Sequence, residues 1–160
     1  MKLTAYTDGA CSANGTSKAR AGWAFVLLDE DENLIAEGSG GVENGTNNIG
    51  ELTAIIKAIE AAAEFDVEKL QILSDSAYCI NGITNWRYNW KRNGWWRDAG
   101  HKQELKNRDL WMRLDALIDM SYMEFVKVPG HSGVKWNEYV DKHAVAHTHS
   151  GGKYGTIERN

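Results

Sequence analysis

The order of the apolar segments along the chain is the feature that most constrains its fold. Segments in which apolar residues alternate with polar ones, or run together, predict β-strands, whereas apolar residues that recur every three or four positions predict helices. Strands are predicted at residues 3–7, 21–28, 34–38, 70–73 and 123–128. Helices are predicted at residues 47–65, 77–83, 106–118 and 136–147. Three strands followed by helices that alternate with strands indicate an α/β protein with a mixed sheet and helices on its faces.

Four acids lie where these segments meet turns or helices: Asp8, Glu51, Asp75 and Asp141. In open α/β sheets the functional crevice lies beyond the carboxyl ends of strands, where we place Asp8 and Asp75. Glu51 and Asp141 reach the same crevice only if their helices pack there. Carboxylates gathered in one place repel one another, and a set of oxygen ligands suits the hard cations Mg²⁺ and Mn²⁺. The four acids therefore predict a magnesium site.

The net charge of −4 argues against a nucleic-acid partner, but the distribution of the charge argues for one. Residues 86–108 contain seven Lys or Arg residues and two acids, a net charge of +5, which leaves −9 for the remainder. Four tryptophans interleave with these cations, at positions 86, 90, 95 and 96. Cations attract phosphates while aromatic rings pack against sugars or bases, so this stretch predicts a ridge that binds a nucleic-acid strand.

Length and composition set the wider limits. A chain of 160 residues that is 42% hydrophobic can form one domain with one core. The N-terminus lacks the apolar core of a signal peptide, and no stretch approaches the ~18 apolar residues of a membrane span. Cys11 and Cys79 show neither metal-ligand spacing nor a disulfide framework, which suits a reducing compartment. We therefore expect a cytoplasmic protein without a membrane partner.

Several short pieces occur in order along the chain. They are Tyr-Thr-Asp-Gly-Ala-Cys-Ser-Ala-Asn-Gly (6–15), Thr-Asn-Asn-Ile-Gly-Glu-Leu (46–52), Leu-Ser-Asp-Ser (73–76), Ile-Thr-Asn-Trp (83–86), Trp-Lys-Arg-Asn-Gly-Trp (90–95), Asn-Arg-Asp-Leu-Trp (107–111), Val-Pro-Gly-His-Ser-Gly (128–133) and Asn-Glu-Tyr-Val-Asp (137–141). Together these pieces resemble the ribonuclease H type 1 family, which cuts RNA paired to DNA. The resemblance implies an RNase H-like fold: a five-stranded mixed sheet, three antiparallel strands and then two parallel ones, flanked by helices and carrying a basic handle. We expect this domain at residues 1–149 and a flexible tail at 150–160.

The resemblance also implies a mechanism. Asp8, Glu51, Asp75 and Asp141 resemble the family's metal-binding carboxylates, which hold two Mg²⁺ ions, with Mn²⁺ as a possible substitute. Hydrolysis then leaves a 5′-phosphate and a 3′-hydroxyl, in the removal of primer or R-loop RNA. His131 resembles the auxiliary histidine that moves a proton or helps product leave. The expected partner is an RNA:DNA hybrid bound by a monomer.

Substrate contacts are implied in the same way. Asn14, Asn47 and Asn48 resemble residues along the minor groove of the hybrid, where an amide can pair with a 2′-hydroxyl. Positions that match the groove and the phosphate pocket for the DNA strand are Tyr78, Trp86 and Trp90, and Thr46 and Asn107. Lys91, Arg92 and Arg97 belong to the handle. Helix capping by Asn14 and Asn47, and anchoring of a helix by Trp86 and Trp90, remain open alternatives.

Departures from the family pattern leave other readings open. Ile49 and Asn44 stand where relatives carry Arg, and Lys18 or Arg20 could supply the phosphate contact in place of the missing arginines.

His143 and His147 have helical zinc-ligand spacing but no further ligands, so we interpret them as surface histidines. Three alternatives to hybrid hydrolysis are a non-catalytic hybrid-binding module, a strand-transfer nuclease like integrases and transposases, and an α/β domain whose acids are only surface charges.

Overall fold

The computed structural model describes residues 1–12, 19–130, 133–149 and 157–159. Its strands are β1 (Lys2–Ser12), β2 (Arg20–Leu28), β3 (Leu34–Glu43), β4 (Lys69–Ser74), β5 (Met123–Lys127) and β6 (Ile157–Arg159). Its α-helices are α1 (Asn47–Ala62), α2 (Ala77–Asn81), α3 (Arg87–Arg92), α4 (Arg108–Leu117) and α5 (Lys135–His149). A π-helical turn at Gly82–Trp86 joins α2 to α3. Among these elements no helix is long and apolar enough to cross a membrane.

The sheet has the predicted mixed topology. Its strand order is β5-β4-β1-β2-β3, with the short β6 added beside β3. β1, β2 and β3 pair antiparallel, whereas β1 with β4 and β4 with β5 pair parallel. Helices cover both faces: the helices that lie between the parallel strands, such as α1 and α4, pack on one face, and α5, which follows β5, packs on the other. The predicted five-stranded sheet is thereby confirmed. The predicted flexible tail falls mainly outside the described residues, and its residues 157–159 form β6.

The first strand is longer than predicted: Asp8, which was expected beyond the carboxyl end of the strand, lies inside β1. β1 pairs with β2 as far as Ser12 opposite Arg20, whereas its parallel pairing with β4 ends at Tyr6 opposite Leu73. The antiparallel neighbour keeps β1 extended where the parallel neighbour stops. Asp8 therefore lies within a strand, immediately past the end of the parallel pairing.

Two cores hold the helices against the sheet. On one face α1 contributes fully buried residues such as Leu52, Ile55 and Ile56, at the spacing of an amphipathic helix. On the other face α5 packs Val140 and Ala144 against β2. This packing brings Glu51 and Asp141 to opposite sides of β1, beside Asp8.

The helices differ from prediction mainly at their ends. α1 stops at Ala62, α4 starts at Arg108, and α5 extends to His149. The helix predicted to begin at Ala77 does begin there, but it continues through the π-turn into α3. Helix ends depend on local capping bonds, which the apolar periodicity does not encode.

Candidate metal centre and nucleic-acid groove

Three carboxylates from separate elements meet at one point of the sheet. Asp8 in β1, Glu51 in the second turn of α1 and Asp75 just after β4 each offer an oxygen, and these oxygens lie within 4.8 Å of one another. Asp8 is 6% exposed and Glu51 4% exposed, so little solvent screens their charges. The sequence-predicted acids Asp8, Glu51 and Asp75 are thus brought together.

Asp141 joins the group from the other face of the sheet. Its side chain lies close enough to Asp8 to contribute to the raised pKa of that carboxyl, and it lines a small crevice with Asp8 and Asp75. It lies outside the group of oxygens within 4.8 Å of one another. All four predicted acids therefore border one site, with Asp8 at its centre.

Two glycines allow the close approach of α1 to the sheet. A Cβ on Gly9 would lie 2.2 Å from the backbone nitrogen of Glu51, and one on Gly50 would lie 2.6 Å from the carbonyl oxygen of Gly22. The short distance also lets the Gly9 N–H donate to Glu51 Oε1 at 3.0 Å. Side chains at either position would push α1 outward and separate Glu51 from Asp8.

The acids strongly perturb one another. Burial, followed by the charges of Glu51 and Asp75, raises the pKa of Asp8 well above its ordinary value. Burial and the charge of Asp75 likewise raise the pKa of Glu51, although the Gly9 N–H opposes this change. Both shifts express the same fact: several negative charges share a poorly solvated space.

The site has the properties of a divalent-cation site. Glu51 Oε2 is buried and has no hydrogen-bond partner among the described residues. None of the ion pairs within the described part of the chain involves the four acids. A buried acceptor without a partner and uncompensated carboxylates fit Mg²⁺ or Mn²⁺, which take oxygen ligands.

An open groove extends from the acids along the start of α1. It is lined by the acids, by Asn47 and Asn48, and by Ser76 and Tyr78. Thr46, not Asn47, caps α1, because its hydroxyl accepts from the Ile49 N–H at 3.2 Å. The explanation that Asn47 caps the helix is therefore wrong, and its exposed side-chain amide does not serve as the N-cap.

Ser76 borders the groove but was not predicted from the sequence to be a site residue. Its hydroxyl caps α2 by accepting from the Cys79 N–H at 3.1 Å. Its position immediately after Asp75 was the available signal. Asn14 and His131 lie outside the described residues, although Gly130, which precedes His131, lines the same small crevice as Asp75.

A second groove with aromatic walls lies beside the first. Tyr78, Trp86, Trp90 and Arg97 line it, and Tyr78 also borders the first groove. Trp86 is 39% exposed, with its ring 5.9 Å from that of Trp90. Trp90 packs edge-on against the buried Trp111 at 5.1 Å. Trp90 therefore anchors its helix, while Trp86 presents an open face to the groove.

Asn107 lies near this aromatic groove, at the start of α4. Its Nδ2 donates to Tyr78 Oη at 3.2 Å, and Trp111 Nε1 donates to the same oxygen at 2.9 Å. Asn107 has a left-handed backbone with φ of 59° and makes no side-chain cap. Its side chain instead orients the tyrosine that separates the two grooves.

Only part of the predicted basic stretch faces solvent. Arg97 lines the aromatic groove, and Arg92 is exposed next to Asn89. Lys91 pairs with Asp115 at 3.1 Å while its side chain stays 63% exposed. Arg87 is buried, which corrects its assignment to the surface lobe.

Two further arginines, Arg108 and Arg20, also form contacts within the protein. Arg108 lies over the Trp96 ring at 4.9 Å, and its Nε donates to a backbone oxygen at 3.0 Å. Arg20 donates to the His147 carbonyl oxygen at 2.7 Å and pairs with Glu43. Arg20 is thus engaged within the protein, its compensation for the missing arginines stays a prediction, and Lys18 lies outside the described residues.

His143 and His147 form no zinc site with the other residues that the structure describes. His143 stacks on Tyr139 with 4.2 Å between ring centroids, and the His147 ring bonds to Ser39 Oγ at 3.0 Å. In the described part of the chain, the group of side chains able to hold a metal consists of Asp8, Glu51 and Asp75.

Comparison with known proteins identifies the family. The RNase H family model matches residues 1–149. The chain belongs to the ribonuclease H family. Ribonuclease H of Treponema denticola is 36% identical over 158 residues, which cover 91% of this chain and 96% of that protein. Ribonuclease H of Jannaschia sp. is 41% identical over 147 residues, which cover 90% of this chain and 89% of that protein. The relatives support ribonuclease H activity, so the chain is a hydrolase and a nuclease.

A solved structure gives the same fold. LC9-RNase H1 matches with a TM-score of 0.81 at 23% sequence identity, and the match covers 99% of this chain and 77% of the LC9-RNase H1 chain. At this identity the likeness concerns the fold. It agrees with the ribonuclease H assignment made from sequence.

Proposed function

We propose that the chain is an endonuclease that hydrolyses the RNA strand of RNA:DNA hybrids and leaves 5′-phosphate and 3′-hydroxyl ends. The observation that carries the proposal is the meeting of Asp8, Glu51 and Asp75, with carboxylate oxygens within 4.8 Å of one another and no ion pair from any described residue to neutralise them. Removal of primer or R-loop RNA by a cytoplasmic monomer is the role we propose for this activity.

We assign the four acids as ligands of two Mg²⁺ ions, for which Mn²⁺ can substitute. When bound, such ions activate a water and stabilise the departing 3′ oxygen. Asp8 lies between Glu51 and Asp141, so its two oxygens can serve both sides of the site. We assign Glu51 Oε2, which has no hydrogen-bond partner among the described residues, as a metal ligand. The Gly9 N–H donates to the other oxygen of this carboxylate, Oε1, and so orients the group. His131 is proposed to carry a proton or to assist release of product.

The two grooves suit the two strands of a hybrid. The first places Asn47 and Asn48 beside the acids, where their amides can both donate to and accept from a 2′-hydroxyl. We assign this groove, together with Asn14, to the RNA side of the minor groove. The A-form minor groove is wide and shallow, so exposed side chains can reach it.

The aromatic groove is assigned to the DNA strand. Trp86 offers an open ring face for a sugar or base, and Arg97 offers a cation for a phosphate. Lys91 and Arg92 extend the positive charge along α3, and Thr46 and Asn107 are assigned to a DNA phosphate.

The test is a cleavage assay on three labelled duplexes: RNA:DNA, RNA:RNA and DNA:DNA. The proposal requires Mg²⁺-dependent cutting of the RNA strand of the hybrid alone, and none in EDTA. Asp75→Asn should lower cutting by more than about 100-fold, since it removes a metal ligand. Binding of the hybrid in EDTA should remain, because the grooves are intact.

Asp66→Asn is the matched control, since Asp66 is exposed and lies outside the site. It should cut as the wild type does. Binding of the hybrid without cutting would favour a non-catalytic module, and joining of DNA ends would favour strand transfer. Either result would contradict the proposal.

A further inference from the structure

A buried ion pair lies at the base of the basic stretch. Arg87, the first residue of α3, is 6% exposed, and its Nη1 donates to Asp115 Oδ1 of α4 at 2.5 Å. The Asp115 side chain is 9% exposed and also pairs with Lys91 Nζ at 3.1 Å. Taking charges out of water is costly, and a buried ion pair often adds no stability over apolar residues of similar volume. Stability alone therefore does not account for this pair.

The ion pair and the aromatic groove lie on neighbouring faces of one helical segment. Trp86 and Trp90 are four residues apart and share a face, while Arg87 and Lys91 share the face about 100° further round. Trp90 also packs against Trp111 of α4. α4 thus holds α3 by an aromatic contact and by an ion pair, and rotation of α3 about its axis would break the ion pair.

The connection before α3 makes this rotation significant. In the π-turn the Arg87 N–H donates to the Gly82 carbonyl, five residues back. A π-turn inserts one residue into a helix, and this rotates everything that follows by about 100° relative to an uninterrupted helix. Arg87 Nε also donates to the Ile83 carbonyl at 3.1 Å inside the turn. The same guanidinium therefore bonds both the π-turn and α4.

We propose that Arg87 is a positioning residue, whose bond to Asp115 fixes the rotation of α3 and so sets the aromatic groove for a nucleic-acid strand. Its guanidinium is turned into the protein, although the sequence places it among the cations of the basic stretch. The inference rests on the proposed function, in which the groove lined by Trp86 and Trp90 holds the DNA strand and Trp86 contacts it. Apolar replacements can fill the same space but carry no direction, because hydrophobic contacts are non-directional.

The test compares Arg87→Met with the double variant Arg87→Met/Asp115→Leu. The single variant leaves Asp115 without its buried partner and should lower Tm by roughly 6–20 °C, so binding is measured well below that temperature. The double variant keeps the net charge and should recover most of the lost Tm. Both should raise Kd for the hybrid in EDTA, and KM in Mg²⁺, by about fivefold or more, with kcat within about twofold of wild type.

Salt dependence separates positioning from phosphate contact. The slope of log Kd against log salt should stay unchanged in both variants, whereas Arg97→Met should reduce it by about one unit. A control double variant, Arg113→Met/Glu60→Leu, removes the exposed ion pair between α4 and α1, whose oxygens lie 2.7 and 2.8 Å from Arg113 Nη2. It should bind the hybrid like wild type.

Two results would overturn the inference. The first is wild-type Kd in the double variant, because apolar packing alone would then set the groove. The second is a reduced salt slope in Arg87→Met, because Arg87 would then act as a phosphate contact. Cutting of the hybrid by wild-type protein is established first, so failure of this inference is distinguishable from failure of the proposed function.

Discussion

The crowding of carboxylates predicts that repulsion among the acids of the metal site lowers the free energy of unfolding when no metal is bound. Two unit charges 4.8 Å apart repel by about 3.5 kcal/mol at an effective dielectric constant of 20, and by about 0.9 kcal/mol in water. Asp8 is buried beside two such carboxylates, so at pH 7 the folded protein either bears a repulsion near the higher value or holds a proton on Asp8, and both lower the free energy of unfolding. Asp8→Asn keeps the shape and the oxygen that accepts from the Gly9 N–H, while it removes the charge. In EDTA at pH 7 the variant should be more stable by about 2–3 kcal/mol, a rise in Tm of about 4–12 °C.

The pH dependence follows from the sign of the pKa shift. The pKa of Asp8 is higher in the folded protein than in the unfolded chain, so the folded state binds more protons between the two values. The free energy of unfolding therefore falls as pH rises above about 4, the unfolded pKa. Near pH 4 the Asp8→Asn variant and the wild type should have similar Tm values, and the advantage of the variant should grow towards pH 7.

Thermal unfolding measured by circular dichroism tests this reasoning, with Asp66→Asn as the control. Added Mg²⁺ should narrow the difference, since a ligand at 100 times its Kd stabilises the folded wild type by about 2.7 kcal/mol. An Asp8→Asn variant that is less stable than wild type in EDTA at pH 7 would refute the argument. So would a difference between the two proteins that does not change with pH.

Three further predictions concern metal binding, helix packing and the handle. Binding of Mn²⁺ near pH 7 should release protons, because the pKa values of Asp8 and Glu51 are raised when no metal is bound. Titration calorimetry in buffers of different ionisation enthalpy measures this release. Equal binding heats in all buffers would contradict the prediction. Gly9→Ala should weaken Mn²⁺ binding and lower Tm, since its Cβ would lie 2.2 Å from the Glu51 nitrogen; unchanged calorimetric affinity would contradict it. Replacing Lys91, Arg92 and Arg97 together with Gln should raise KM for the hybrid and flatten its salt dependence, with kcat little changed; an unchanged salt slope would reject the handle.

Much of the fold was predictable because its signals are local. The apolar spacing in α1 predicted a helix that the structure confirms, since burial of Leu52, Ile55 and Ile56 on one face requires that spacing. The interleaving of strands and helices predicted the mixed sheet for the same reason. Helix ends and the π-turn were not predictable, because single backbone hydrogen bonds decide them.

The candidate site was predictable in its membership but only partly in its arrangement. Asp8 and Asp75 were marked by their place after predicted strands, and Glu51 and Asp141 by their place in helices that could pack at the same crevice. That Asp8 lies inside β1 depends on β2, which continues to pair after β4 has stopped. The residues around Asp8 in the sequence carry no information on how far β2 continues to pair with β1.

The sequence alone determined which residue types occur and which segments have an apolar face, and from these followed the strands, the helices and the set of acids. Tertiary structure alone decided how deeply each charge is buried and what it faces. Arg87 and Arg97 look alike in the sequence, yet Arg87 is buried against Asp115 while Arg97 lines a groove. The physical reason is range: backbone preferences act within a few residues, whereas the solvation and pairing of a charge depend on groups that only folding brings near.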